Sequence, residues 1–195
     1  MESGIPVVFL ARDGSPVGYA WPADRPTVPF AAELEEFLNR VDWHERYCNW
    51  LRAARMRVLN RWRCERERAG NAVPTMVFRD LVRRYVYLED ARASGNVGFR
   101  RGALAAIVVG QLSRGCLSPA YWGCGERKLE LAHDVTTLLE MSFELELGTL
   151  GTAVRADEPA MLAMLSPVIA RLPVQCMSIL GHFVRWVRET NDIWH

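Results

Sequence analysis

The segment from 99 to 114 constrains the fold more than any other part of the chain. Within GFRRGALAAIVVGQLSRG, the run Ala103-Leu104-Ala105-Ala106-Ile107-Val108-Val109 is apolar on every side of a helix. A helix without a polar face belongs inside a bundle, where neighbours cover it all round. Gly102, Ala103, Ala105, Ala106 and Gly110 would allow those neighbours to come close. Ala and Leu content favours helix over buried strand for so short a run. The expectation is therefore an all-α bundle built around residues 99–114.

The flanking segments carry amphipathic patterns that fit such a bundle. Residues 31–43 put Leu34, Phe37, Leu38 and Val41 on one face. Residues 45–68 put Tyr47, Trp50, Leu51, Ala54, Val58 and Trp62 at helical spacing, with arginines opposite, and Gly70-Asn71 ends that helix. A third helix, 74–90, begins at a proline. A fourth flanking helix, 126–147, has Leu131, Val135, Leu138, Leu139 and Phe143 inward, and Gly148 is expected to stop it. Residues 115–125 read as an irregular connection. Asp157 is placed to cap a helix that Pro167 breaks or kinks, and a final helix covers 174–190. At the other end, Val7, Phe9, Val17, Tyr19 and Trp21 alternate around Asp13-Gly14, which predicts a β-hairpin followed by a proline-rich linker. An isolated hairpin is marginal, so this one should pack on the bundle. The expected organisation is hairpin and linker over 1–30, helical core over 31–150, and C-terminal helices over 151–195 packed on that core.

With 195 residues and a formal net charge of +1, the chain lacks the charge for general nucleic-acid affinity. Charge is uneven, however. Eight arginines stand against three glutamates between Glu45 and Arg68, and eight acids against three bases between Glu126 and Glu158. The arginine face could serve a nucleic-acid module, although a solvated helix face is the plainer reading. Five cysteines without a CxxC pair and four scattered histidines do not compose a metal site. No cofactor is indicated. Free thiols, and an N-terminal apolar run of about six residues, too short for a signal peptide or a span, point to the cytoplasm or nucleus.

Familiar catalytic signatures are missing. There is no Walker loop, GxGxxG or HExxH. Neighbouring His133 and Asp134 point about 100° apart on a helix and cannot share a substrate. Glu140, Glu144 and Glu146 read as solvated charges, and Cys116 and Cys124 as small loop or core residues. Among seven tryptophans, Trp62, Trp122, Trp186 and Trp194 could mark an interface, with core packing the alternative for at least half. The expectation is a chain that is not an enzyme.

Three segments between Arg46 and Thr149 together resemble a cyclin box, a five-helix bundle whose third helix is ringed by the other four. Asn49-Trp50-Leu51 is similar to the tryptophan-leucine pair of the first box helix. LSPAYWGCG at 117–125 resembles the connection after the third helix in fungal and protozoan phosphate-pathway cyclins. ELAHDVTTLLEMSFELEL at 130–147 resembles the fifth helix, ending here in Met141, Phe143 and Leu145. The atypical neuronal activators of cyclin-dependent kinases are a second parallel. The resemblance implies a partner, a protein kinase of the cyclin-dependent class, docked on helices 99–114 and 126–147 and the loop between them. Gly110, Leu112, Leu117, Tyr121, Trp122, Asp134 and Leu138 fall on that implied surface. Typical cyclins hold the kinase with a lysine of helix three and a glutamate of helix five. Here Gly110 stands at the lysine position and Asp134 at the glutamate position. A second register makes 74–90 the first box helix, 126–147 the third and 158–171 the fifth.

A competing resemblance is to apoptosis regulators of the Bcl type, bundles that bind an amphipathic helix in a groove. Asn96 to Gly115 is similar to their glycine-arginine motif, and Trp186 to Trp194 to their second tryptophan motif, although the expected Asn-Trp-Gly-Arg is absent. Neither family reading implies a membrane or a small-molecule substrate.

Overall fold

The computed structural model describes residues 7–14, 16–20, 29–87, 97–114, 123–124, 127–150 and 158–192. The described residues are mostly helical. Six helices form among them, α1 Pro29–Leu38, α2 Trp43–Arg68, α3 Thr75–Val82, α4 Val97–Arg114, α5 Leu131–Leu150 and α6 Glu158–Asp192. A π-helical turn, Arg83–Tyr87, continues α3. Two short antiparallel pairs accompany them, β1 Val7–Leu10 with β2 Pro16–Ala20, and β3 Gly123–Cys124 with β4 Arg127–Lys128. Trp21, Asp157 and most of the 115–125 connection lie outside the described residues.

Local chemistry accounts for several of these boundaries. The end of α2 is a Schellman motif. Gly70 takes φ +76°, its N–H reaches the Glu67 carbonyl at 3.1 Å, and the Asn71 N–H reaches the Arg66 carbonyl at 2.9 Å. The hairpin turns at Gly14, with φ +81°. It packs against α4 at Gly102, where an added Cβ would collide with the Gly14 carbonyl and lie 3.1 Å from both Leu10 methyls. Close approach of hairpin to helix depends on that glycine.

One main core joins α1, α2, α4, α5 and α6. It contains Phe37, Trp50, Leu104, Val108, Leu131, Leu139, Leu172 and Phe183 among others. Trp50 and Phe183 meet edge to face at 5.1 Å, and Phe37 meets Trp186 at 5.0 Å. A smaller cluster of Leu59, Val86, Met141 and Leu145 lies under α3 and the π turn. The ends of α1 and α6 are tied by polar contacts. Arg40 donates to the Thr190 carbonyl at 3.2 Å, Asn191 donates to the Glu33 carbonyl at 2.8 Å, and Arg188 pairs with Glu33.

Four expectations change. Residues 99–114 are packed on α5, α6 and the hairpin but are not covered all round, since Ala103 and Ala106 are exposed. This helix shares the interior with α5, which packs on α2, α4 and α6 and buries Thr136 and Glu140 as well as its leucines. Thr136 is tolerated there because its hydroxyl donates to the Ala132 carbonyl at 2.7 Å. Gly148 does not stop α5, which runs on to Leu150, and the helix starts at Leu131 because Arg127–Lys128 is spent on a strand pair. Pro167 does not break the C-terminal segment either. A single helix of 35 residues contains both Pro167 and Pro173. Each proline frees the carbonyl four residues before it, at Ala163 and Ile169, and both of those residues are exposed to water. Finally, α1 ends at Leu38, so Val41 is 98% exposed instead of facing inward.

By length and composition Leu165–Asp192 is apolar enough to cross a membrane. Its inner face, Val168, Leu172, Cys176, Leu180, Phe183 and Val187, is buried in the bundle.

Candidate partner-docking cleft

The start of α2, the π turn and the start of α5 enclose a cleft of about 380 Å³. Helical spacing brings His44, Tyr47, Cys48, Leu51, Arg52 and Arg55 to one wall, since positions three and four apart share a face. Val86 and Tyr87 form the second wall, Glu130 and Asp134 the third. Basic groups therefore face acidic ones across the opening.

Asp134 is the group the cleft is built around. The Tyr47 hydroxyl donates to its Oδ2 at 2.7 Å. Burial raises the Asp134 pKa above the usual carboxylate range, although the Tyr47 hydrogen bond and the charges of His133 and Arg55 pull the other way. The Tyr47 hydroxyl is pushed well above its ordinary value, first by burial and then by the neighbouring carboxylate. The phenol therefore keeps its proton and stays the donor of this pair. The His44 imidazole and the Cys48 thiol are 3.9 Å apart on the exposed rim.

A second polar system crosses from α4 to α5. Arg100 reaches Glu144 at 2.9 Å and Glu140 at 3.5 Å, and Arg101 reaches Glu140 at 4.0 Å. Tyr85 donates to Glu144 at 3.0 Å, and its own pKa is raised to about 12 by burial, then by Glu144. Glu140 is only 6% exposed, so the reading of Glu140 and Glu144 as solvated charges is corrected. His133 sits on the outer side of α5, its Nε2 3.0 Å from the Arg101 guanidinium, while Asp134 turns to Tyr47. The two side chains diverge, as their adjacency on a helix requires.

The sequence-derived surface divides among different environments. Asp134 lines the cleft. Gly110 is half-buried on α4, with nothing within 4 Å of an added Cβ. Leu112 and Leu138 are 0% and 1% exposed in the main core, so packing is their role and neither reaches a partner-facing surface. Leu117, Tyr121 and Trp122 lie outside the described residues, as do Cys116 and Trp194. Trp43 and Trp50 are core residues, and Trp62 and Trp186 are partly buried against the two clusters. Sequence reasoning missed Tyr47, Glu130, Arg52, Arg55 and the π turn as parts of one site. The i, i+4 step from Glu130 to Asp134 was the available signal for the acidic wall.

No family model, no curated protein and no solved structure matches this chain. Among the described residues no group of three or more His, Cys, Asp or Glu side chains is placed to hold a metal ion.

Proposed function

We propose that this chain is a non-catalytic binding protein that docks on a protein kinase of the cyclin-dependent class through the Asp134 cleft. The observation that carries the reading is Asp134 itself. It stands where the cyclin resemblance puts the acid that holds the kinase, and it is kept at the floor of a cleft at a cost in burial. A carboxylate shifted by burial and set in a cleft beside a charged wall is the kind of group that binding sites use. Arg52 and Arg55 facing Glu130 and Asp134 give the cleft two-signed walls, which fix the orientation of an incoming helix more than they add affinity. The correspondence of Asp134 to the kinase-holding acid belongs to the first box register, with 130–147 as the fifth helix; in the second register, with 126–147 as the third, Asp134 keeps its place in the cleft without it.

Co-purification of the full chain with candidate kinases, followed by a phosphorylation assay, tests the proposal. We expect a kinase to be retained and Asp134→Asn to weaken retention by about tenfold or more without lowering the melting temperature. Capture of no kinase, or equal capture by the variant, refutes it.

One observation favours the Bcl-type family as a second reading. Met76, Val77 and Tyr87 are 59%, 47% and 68% exposed on α3 and the π turn, apolar surface of the kind a helix-binding protein offers. Saturable binding of an amphipathic death-motif peptide, lost on Val77→Asp, would select that reading over the kinase one.

A further inference from the structure

Farther along α2, where it meets α5 and α6, a second set of groups converges. Arg57 and Arg61 are one turn apart on α2 and share the wall of a small cavity with Trp62, Gln175 and His182. The cavity holds about 30 Å³, room for one or two water-sized oxygens. Its donors outnumber its uses. The Trp62 indole N–H is buried without an acceptor. Ser142 donates to Gln175 Oε1 at 3.1 Å, which leaves the Gln175 amide nitrogen as a donor. Arg57, Arg61 and Arg185 enter none of the ion pairs formed among the described residues, unlike Arg46, Arg63 and Arg100.

Charged groups face this cavity from all three helices. Arg57, Arg61 and Glu65 come from α2, Glu146 from α5, and Arg185 stands near His182 on α6. The field at the imidazole is nonetheless positive. Burial, then Arg57, Arg185 and Arg61, hold the His182 pKa below its ordinary value. Burial also lowers the Arg57 pKa. Two exposed arginines beside a space for one or two oxygens suit a phosphate group that seats its outer oxygens there and keeps the rest in solvent, since guanidinium groups bind such oxygens by charge-assisted bonds.

We infer that the seam between α2, α5 and α6 is an anion site for a phosphate group, supplied either as free inorganic phosphate or on a phosphorylated side chain of a partner protein. A bound phosphate would reverse the potential at His182. The site lies apart from the Asp134 cleft, so its fate is independent of the kinase reading.

Imidazole NMR of the full chain, titrated with pH in chloride and in inorganic phosphate at equal ionic strength, tests this. The His182 pKa should rise in millimolar phosphate, because a nearby anion favours the imidazolium, while the exposed rim residue His44 should not respond. Arg57→Gln should weaken the effect by about tenfold or more, and Arg57→Lys should restore part of it. Arg61→Gln provides a second variant if Arg57→Gln does not fold. O-phosphoserine acting at lower concentration than inorganic phosphate identifies a carried phosphate; the reverse order identifies the free ion. A His182 pKa that is the same in both salts, or a phosphate response unchanged in both arginine variants, overturns the inference.

Discussion

Asp134 and Tyr47 show how one residue pair can be tested for function and for stability at once. The carboxylate has a raised pKa in the folded chain, with burial the largest cause. Below the unfolded value of 3.8 the carboxyl is protonated in both states and its contribution to folding is fully present. As pH rises through the raised folded value, the folded state holds the proton more tightly than the unfolded one, and that contribution is lost. Asp134→Asn should therefore stabilise the fold near neutral pH, and the gain should fade on acidification to about pH 3. Urea melts of wild type and variant across pH measure the difference; a gain that grows on acidification would contradict the assignment. Tyr47→Phe makes the complementary change. It keeps the aromatic contacts with Trp50 and Phe183 but leaves the carboxylate without its donor, which should cost about 1–3 kcal/mol. The sequence made Asp134 visible as an acid but not Tyr47 as its partner. The two are 87 positions apart, and no local pattern links them.

At the scale of elements, α4 and α6 show where pattern reading succeeds and where it stops. The apolar run of α4 was legible as a helix, yet its alanines made it look more buried than it is. Ala103 and Ala106 add hydrophobic character to a sequence but little surface, so solvent tolerates them. In contrast α5 carries Thr136 and Glu140 at buried positions, and these polar letters hid its place in the interior. For α6, the local rule that proline ends a helix outweighed a longer signal. The buried positions Val168, Leu172, Cys176, Leu180, Phe183 and Val187 step by three and four from just after Pro167 straight past Pro173. Packing of that continuous face holds the helix together across two missing hydrogen bonds. Pro173→Ala should then raise stability by about 1–3 kcal/mol, as it restores a donor and a good helix former without touching the core. Thermal melts check the sign. Gly102→Val should do the opposite, since its side chain would meet Gly14 and Leu10, and the hairpin should become protease-sensitive while the helices persist.

For the whole molecule, the question is whether residues up to 150 form a self-sufficient box with helices added, or one core that needs α6. A boundary near 150 follows from the sequence, because Gly148 is expected to end a helix there. The packing argues for one core. Leu172, Cys176, Leu180, Phe183 and Val187 belong to the same buried cluster as Trp50, Leu104, Val108, Leu112 and Leu139. Burying these α6 side chains together with Val168 contributes about 10 kcal/mol, at roughly 1.5–3 for each large apolar group. That is comparable to the entire net stability of a typical domain, about 5–15 kcal/mol. Without α6, Trp50 and Phe37 would also lose their ring contacts with Phe183 and Trp186. A chain ending at residue 157 should therefore show no cooperative thermal transition and should bind dyes that report exposed apolar surface. The intact chain should unfold in one step, with tryptophan fluorescence and far-UV circular dichroism changing together. A truncated chain that melts cooperatively would show that the first five helices stand alone. It would restore the boundary at 150 and strengthen the box reading, whereas a molten truncation ties the cleft at Asp134 to the integrity of the C-terminal helix.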